Sequence, residues 1–541
     1  MLPHEPAEAL ERKLGAPDFS LEADEREEFP ADAIATLQQA GYCDYLVPMA
    51  LGGKLTSLDE ALFLQRCVAR RDLTVAIALG QSFLGSVAVW LAGSAAQQAR
   101  LAALLRRGGL AALALTEEEH GSDILASEVR ATAAHALSGR KWLINNGSRA
   151  EAFTVFARTS AEGGLSGFTC YLLEKPNAGY RALPKLRTHG IRGADISGFE
   201  LQDAPAEPIG AIGSGAELVL KGLQITRAGC AAFSLGAADT ALRLALDFAV
   251  HRSLYGARVI EIPHARALLA TAFVDLLLGE AAALGALRAV QAAPAQLPLW
   301  SAAVKYFVPS ICERAIQKAG VVLGARHQLR SGPFQKLVRD ASVVSLFDGS
   351  TAVALDTVGI QLLRLSADPS PDRDETLRAV FSLGTSLPPL DYAQFELLNS
   401  GRDDLTQGAP GAAAPDIGAA PTTAGPLYRH LAQLRADVAA LPREKRKRSP
   451  ELFAMAERYC ALHAAASCVQ LFRHNQIDTF FNQGIWLEAC IARALGEPFE
   501  TEPLALRLLD LHRRSRLFSL LSPEIVEMSP GGSIDDRAGD R

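Results

Sequence analysis

The chain has 541 residues, 49% of them apolar and 21% charged, with a formal net charge of −6. That length exceeds one ordinary core and implies several globular domains. The charge excess is too small to argue for any partner class, and nucleic-acid binding would need a basic stripe with interleaved aromatics. The dense basic run Arg443–Arg448 is followed at once by Ser449-Pro450 and reads as a solvated connector. Eight cysteines are scattered without CxxC spacing or a zinc-type Cys/His array, so they read as buried thiols of a reducing compartment and no metal site is expected.

The opening MLPHEPAEALERK has no apolar core of a secretory signal. Residues 1–111 read as an N-terminal helical domain, with apolar residues at three- and four-residue spacing over Leu58–Ala69 and Ala96–Arg106, ended by Gly108-Gly109. Residues 112–213 change texture. Short β-prone runs, Lys141–Asn145, Phe153–Arg158 and Phe168–Leu173, alternate with Gly, Asn, Asp and Pro, which suits a compact barrel or sandwich rather than a parallel sheet.

Over 214–375 the helical period returns, in Glu217–Arg252, Pro263–Ala292, Leu299–Ala319 and Asp340–Leu365, apolar over more than one face as in a bundle. Residues 376–425 read as a connector and flexible linker, with Gly, Ala, Pro and Thr dominating from 400. Amphipathic helices are expected over 426–521 and a disordered polar tail over 522–541. The apolar stretches Leu79–Ala95 and Leu268–Leu287 are interrupted, the first by Gln81 and small residues, the second by Asp275 and Glu280. Neither reads as a membrane span, and a cytoplasmic protein is expected. The fold class is therefore α+β, mainly α: a helical domain, a central β-barrel domain, a four-helix bundle and an extra helical region. Without βαβ alternation it is not a dinucleotide-binding α/β fold, and Gly213-Ser214-Gly215 lacks the full glycine spacing of such a loop.

Several segments could carry chemistry, and each has a plainer alternative. LTEEEHGSD (115–123) supplies the hydroxyls of Thr116 and Ser122 beside a glycine, or is an acidic surface turn. GRKWLINNG (139–147) is a β run ending in a turn, and Trp142 could be a core aromatic. Arg252 in AVHRSLYG could meet phosphates or stand in solvent. Asp348 in RDASVVSLFDGST could be a carboxylate poised for a raised pKa or the cap of the next helix.

Taken together and in this order, LTEEEHGSD, GRKWLINNG, HGIRGADIS, AVHRSLYG and RDASVVSLFDGST resemble blocks of the acyl-CoA dehydrogenase and oxidase superfamily, from about residue 25 to about residue 365. The resemblance implies FAD, held without a covalent bond between β domain and bundle. Thr116, Ser122, Trp142, Leu143 and Asn145 then line the flavin, with Gly349 and Ser350 beside it. Arg252 meets the FAD pyrophosphate across a subunit interface, and Gln317 and Gly320 approach a neighbour's FAD, so a homodimer or homotetramer is expected. Ser122, Gln224 and Arg227 fall on the substrate side. Asp348 aligns with the base that removes an α-proton while the β-hydrogen leaves as hydride, and an electron-transferring flavoprotein is the expected acceptor.

The departures are informative. The usual base is glutamate, and an aspartate in this place is also used by members that oxidise nitroalkanes. The family's alternative base position, near Ile225-Thr226-Arg227, carries no acid. Trp142 comes one place early, leaving Leu143 where the ring is expected, and Asn145 replaces a threonine. Glu119 and His120 replace small residues, Gln224 replaces an acid, and the turn Leu323–Pro333 is longer than usual. These changes cluster on the thioester-handle side and raise the expectation of an acyl group on a carrier protein instead of CoA. An oxidase or a monooxygenase on the same fold are the alternative activities; monooxygenase members lack the carboxylate. The C-terminal extension resembles the extra domain of larger members in position only.

Overall fold

The computed structural model describes residues 2–15, 20–160, 164–365, 373–407 and 424–526. It forms two compact units, one of Met1–Phe19, Ser57–Arg71 and Arg227–Arg541, the other of Ser20–Thr56 and Asp72–Thr226. These units cut across the expected domain boundaries. The helices Glu5–Leu14 and Leu58–Arg71 belong with the bundle, not with the other N-terminal helices.

The smaller unit joins the helices Ala31–Gln39, Leu73–Ala92 and Ala95–Arg106 to a mixed eight-stranded sheet. Asp72 starts the Leu73 helix by accepting from Val75 N at 3.1 Å, and a Ser94/Gln97 capping box starts the next one. The strands are β1 Ala111–Ala114, β2 Arg130–Ala131, β3 Ala136–Asn145, β4 Ala152–Arg158, β5 Phe168–Glu174, β6 Tyr180–Ala182, β7 Ile196–Pro205 and β8 Glu207–Ile209. They run β6-β7-β3-β2-β4-β5-β8, with β1 added parallel to β4. Most pairs are antiparallel, as the short alternating runs required; β1–β4 and a single β2–β4 bridge are the parallel exceptions. The rings of Phe153, Phe199 and Tyr180 pack with centroids 4.9–5.5 Å apart at the core of the sheet. Gly85 lets the Leu73 helix lie against β1: a Cβ there would stand 2.5 Å from Ala112 N.

The larger unit is a bundle built on Ala231–His251, Pro263–Ala292, Leu297–Leu323 and Thr351–Leu362. Alanine and glycine let the backbones approach closely. A Cβ at Gly236 would lie 2.6 Å from Ala69 Cβ. Leu73–Ala92 and Pro263–Ala292 are long and apolar enough to cross a membrane, but 72% and 83% of their apolar windows are buried inside the protein. Asp275 and Glu280 sit on the second of them in buried pairs. Asp275 receives Lys318 and Arg493, each at 2.6 Å, and Glu280 receives Arg66 at 2.5 Å.

The extension adds helices Gly425–Ala440, Pro450–His474, Ile485–Leu495 and Glu502–Arg513, and the last three pack directly on the Pro263 helix. Two expectations are corrected here. The linker expected from 400 begins as packed chain: Asp403, buried, accepts from Trp300 Nε1 at 3.0 Å and from Tyr459 Oη at 2.9 Å, and Gln407 is buried as well. Residues 408–423 lie outside the described residues. The tail expected to be disordered from 522 is packed as far as Val526. Glu280 accepts from Ser519 Oγ and Leu520 N, Asp239 from Phe518 N, and Glu11 from Val526 N. Buried carboxylates supply the partners that an extended segment lacks within itself. Residues 527–541 lie outside the described residues. All eight cysteines are buried thiols.

His463 sits beside Tyr459 and against the Trp300 ring, 5.6 Å between centroids. Burial pulls its pKa down to about 4, opposed by Asp403. The folded state therefore binds fewer protons than the unfolded chain between pH 6.5 and about 4. Stability should fall with pH across that window, by up to about 3 kcal/mol from this one group. His463→Phe should flatten that acid arm in thermal melts taken from pH 7 to pH 4.5; an unchanged slope refutes the assignment.

Candidate active site

The helix Pro333–Val344 ends in a turn that runs through Phe347 to Asp348 and Gly349, and Ser350 caps the next helix by accepting from Val353 N. Asp348 is therefore not the cap. It adopts φ 54° and Gly349 φ 88°, two consecutive left-handed residues. Aspartate tolerates that conformation better than most non-glycine residues, and its surroundings hold it there. Here Arg227 imposes it: its Nε donates to the Asp348 carbonyl at 3.0 Å. Gly349 is required twice, since a Cβ would also lie 3.0 Å from Arg227 Nη2. Arg227 is buried, which pulls its pKa down against the opposing charge of Asp348. The Cys230 thiol donates to Asp348 Oδ2 at 3.5 Å. Below the turn, the fully buried Lys305 donates to Val344 O at 2.5 Å and lies 5.0 Å from the Phe347 ring centre. Phe347 meets Phe233 edge-on at 6.0 Å. The result is a half-buried carboxylate with its backbone clamped, its side chain contacted and apolar rings beside it.

In the smaller unit the loop after β1 is anchored by a buried ion pair. Glu117 receives Lys141 Nζ at 2.7 Å and the backbone N–H groups of Glu128 and Val129, while Lys141 also donates to Leu115 O at 2.9 Å. Burial pulls Lys141 down to about 8. Burial alone would raise Glu117, but the Lys141 charge and the hydrogen bonds outweigh it and hold the carboxyl below its usual range. Both groups are charged at neutral pH. The pair sets Thr116 beside β3, where Trp142 N donates to Thr116 O at 3.0 Å. The β3–β7 register then slips between Lys141 and Ile144, and Leu143, at φ 53°, is turned outward and 43% exposed. Trp142 is half-buried. Asn145 Nδ2 donates to Ile77 O at 3.2 Å, and its buried Oδ1 has no hydrogen-bond partner among the described residues. A flat heteroaromatic ring with N–H donors suits this edge: Thr116, an outward bulge at Trp142-Leu143 and an acceptor in want of a donor. These residues fit FAD.

The other expected positions are spread out. Ser122 and Gly121 are exposed on the loop, and Gln224 is buried on the helix Gly215–Gly229. Arg252 ends the Ala231 helix and is exposed before a short hairpin whose Tyr255 is fully exposed. Gln317 is exposed, while Gly320 on the same helix is covered by Phe334 and His327. A groove of about 630 Å³ is lined by Glu117–His120, Glu128–Thr132 and Ser138–Arg140. Its lining does not include Thr116, Ser122 or Trp142. The Glu117–Lys141 pair, Cys230 and Lys305 escaped the sequence reading. The strand that holds Lys141 also carries Ser138 and Arg140, so its composition gave no signal for the first.

Lys141→Met leaves the Glu117 carboxylate buried without its cation and should destabilise the protein by about 3–5 kcal/mol. Adding Glu117→Gln should recover most of that loss in urea unfolding. A double variant as unstable as the single one would refute a charge-pairing role.

Residues 5–109, 112–204 and 213–363 match in turn the N-terminal, middle and C-terminal domains of acyl-CoA dehydrogenase. The probable acyl-CoA dehydrogenase FadE25 of Mycobacterium tuberculosis is 29% identical over 367 residues, covering 66% of this chain and 93% of its own. Among solved structures, butyryl-CoA dehydrogenase of Megasphaera elsdenii superposes with a TM-score of 0.61 at 24% identity, over 67% of this chain and 97% of that one. An acyl-CoA dehydrogenase of Bacillus anthracis complexed with FAD superposes with a TM-score of 0.62 at 18% identity, over 94% of both chains, so its coverage extends well into the additional helices. With the three domain types present in order, this chain belongs to the acyl-CoA dehydrogenase family, FAD-dependent oxidoreductases acting on a CH–CH bond.

Proposed function

We propose that the protein desaturates an acyl thioester between Cα and Cβ, with Asp348 as the base that takes the α-proton. The supporting observation is the turn itself. Two consecutive left-handed residues present a carboxylate that caps no helix, and a buried arginine clamps its backbone. An α C–H bond is a feeble acid in water, so the thioester carbonyl must be hydrogen-bonded as negative charge develops on its oxygen. The backbone N–H of Asp348 supplies one such donor, and holding the turn also holds that N–H. FAD, when bound, accepts the β-hydrogen as hydride. Thr116, Trp142, Leu143 and Asn145 would hold its ring system, and Asn145 Oδ1 would accept a ring N–H.

Ser122 and Gln224 face the thioester's handle. Arg227 serves the base more than the handle, because its donor is already engaged at the Asp348 carbonyl. Arg252, Gln317 and Gly320 belong to the FAD site of a neighbouring subunit in a homodimer or homotetramer. The handle is the pantetheine arm of CoA or of an acyl carrier protein, the acceptor is an electron-transferring flavoprotein, and the enzyme works in the cytoplasm.

Asp348→Asn should lower turnover by ~10²–10⁴-fold, the usual contribution of a positioned base, with the flavin spectrum retained. The assay is anaerobic bleaching of the flavin by matched acyl-CoA and acyl-carrier-protein substrates. Bleaching by the Asn variant at the unmodified rate would remove Asp348 from the chemistry. Rates with CoA equal to or above those with the carrier protein would remove the carrier-protein assignment.

A further inference from the structure

The basic run Arg443–Arg448 lies on the surface beside the helix that follows the catalytic turn. We propose that it docks an acidic protein that carries the acyl group on its pantetheine arm, so that the handle belongs to a carrier protein. This rests on the reading that the substrate is an acyl thioester.

The run is more cationic than its place in the fold demands. It joins the helices Gly425–Ala440 and Pro450–His474, and residues 442–448 are all exposed. Three of its five cations have structural work. Arg446 caps the first helix, donating to Leu441 O at 2.8 Å and to Ala439 O at 3.1 Å. Lys445 pairs with Glu451, and Arg448 with Asp356 at 3.0 Å. Arg443 and Lys447 have no side-chain partner among the described residues. Like charges held on one short turn repel each other, and Glu444 is the only acid within the run. The whole chain carries −6, so the run is a local reversal of sign, to which an acidic partner would be steered.

Location points the same way. Arg448 is tied to Asp356 on the second turn of the helix Thr351–Leu362. Ser350 caps that helix two residues after Asp348, and Asp356 lies roughly 9 Å along the axis from the cap, at 1.5 Å per residue. A pantetheine arm spans more than that. Ile360, one turn on and on the same face, is 41% exposed, and Arg364 beyond it is exposed as well. An apolar residue between cations has the make-up of a protein-docking surface, whose apolar centre carries a charged rim. The engaged cations of the run turn to three separate places, Leu441, Glu451 and Asp356, and so do not converge on one phosphate group.

The test uses the FAD-loaded full chain carrying Arg443→Glu and Lys447→Glu together, at two positions without a structural partner. Binding is read from the fluorescence anisotropy of a labelled holo-acyl carrier protein. Turnover is read from flavin bleaching by one acyl group on that carrier, on CoA and on pantetheine. The double reversal should weaken carrier binding, and raise KM for the acyl-carrier, by about tenfold or more at low salt, and high salt should erase most of that difference. KM for acyl-pantetheine, and kcat with every substrate, should stay within about twofold. Arg513→Glu, at the end of the helix Glu502–Arg513, should alter carrier binding by less than about twofold. Unchanged carrier binding, an equal loss with Arg513→Glu, or an equal rise in KM for acyl-pantetheine would each overturn the proposal. A loss confined to acyl-CoA would overturn it too, and give the run to the nucleotide's phosphates. Failure of the desaturation reading shows differently: no thioester would bleach the flavin, although the carrier still bound at the run.

Discussion

Arg227 reaching across to the carbonyl of Asp348 is the contact on which the site depends. Aspartate and glycine are residue types that tolerate the left-handed region, and the turn places one after the other there. The guanidinium makes that arrangement the favoured one by satisfying a carbonyl that points away from any helix ladder. It also crowds position 349, where a Cβ would come within 3.0 Å of its Nη2. The lysine beneath acts on the element before the turn. Lys305 spends its charge on Val344 O, a carbonyl of the helix's last turn, and so complements the negative helix end that leads into the site. Two cations hold backbone, and the Cys230 thiol contacts the carboxylate.

The loop after β1 uses the opposite device, a direct and buried ion pair. Glu117 and Lys141 cost desolvation, which their attraction offsets with the help of further hydrogen bonds, two backbone N–H groups on one side and a carbonyl on the other. Apolar residues of similar size would hold strand to loop with comparable strength but without direction. The pair fixes which carbonyl of the loop faces which amide of β3. The Thr116–Trp142 hydrogen bond and the outward bulge at Leu143 follow from that register. The displaced tryptophan of the sequence then has a structural sense. The bulge, not one aromatic ring, forms the edge, and Leu143 occupies the outward place.

What the sequence made legible was local. Helical period, turn residues and the order of blocks are written in neighbouring positions, and so Asp348, Thr116, Trp142 and Arg252 could be singled out. What it hid was set by partners far along the chain. Cys230 is one thiol among eight until residue 348 is brought beside it. The chain from 400 has the composition of a linker, yet Asp403 is held by Trp300 and Tyr459, more than fifty residues away on either side. Composition predicts disorder from the lack of apolar burial, and it has no means of counting hydrogen bonds supplied from elsewhere. The same reason carried the helices Glu5–Leu14 and Leu58–Arg71 into the bundle. Arg70 and Arg71 on the second pair with Glu11 on the first, an attachment no periodicity shows.

These buried charges solve a problem posed by the bundle's own composition. Helices made largely of alanine and leucine are apolar on several faces, and such faces pack in many nearly equivalent registers. Arg66, Asp239, Arg243 and Glu280 remove that freedom, because each must find its partner or remain buried and unpaired. The last packed segment, Leu517–Ile525, takes its hydrogen bonds from the same group, Phe518 to Asp239 and Arg66, Ser519 and Leu520 to Glu280. A single cluster thereby orients three helices and secures the end of the packed chain. The Ala231–His251 helix, which begins beside Cys230, also carries Asp239 and Arg243. Fixing its register by ion pairs in the middle fixes where its first turn stands, and with it the placement of the thiol against Asp348.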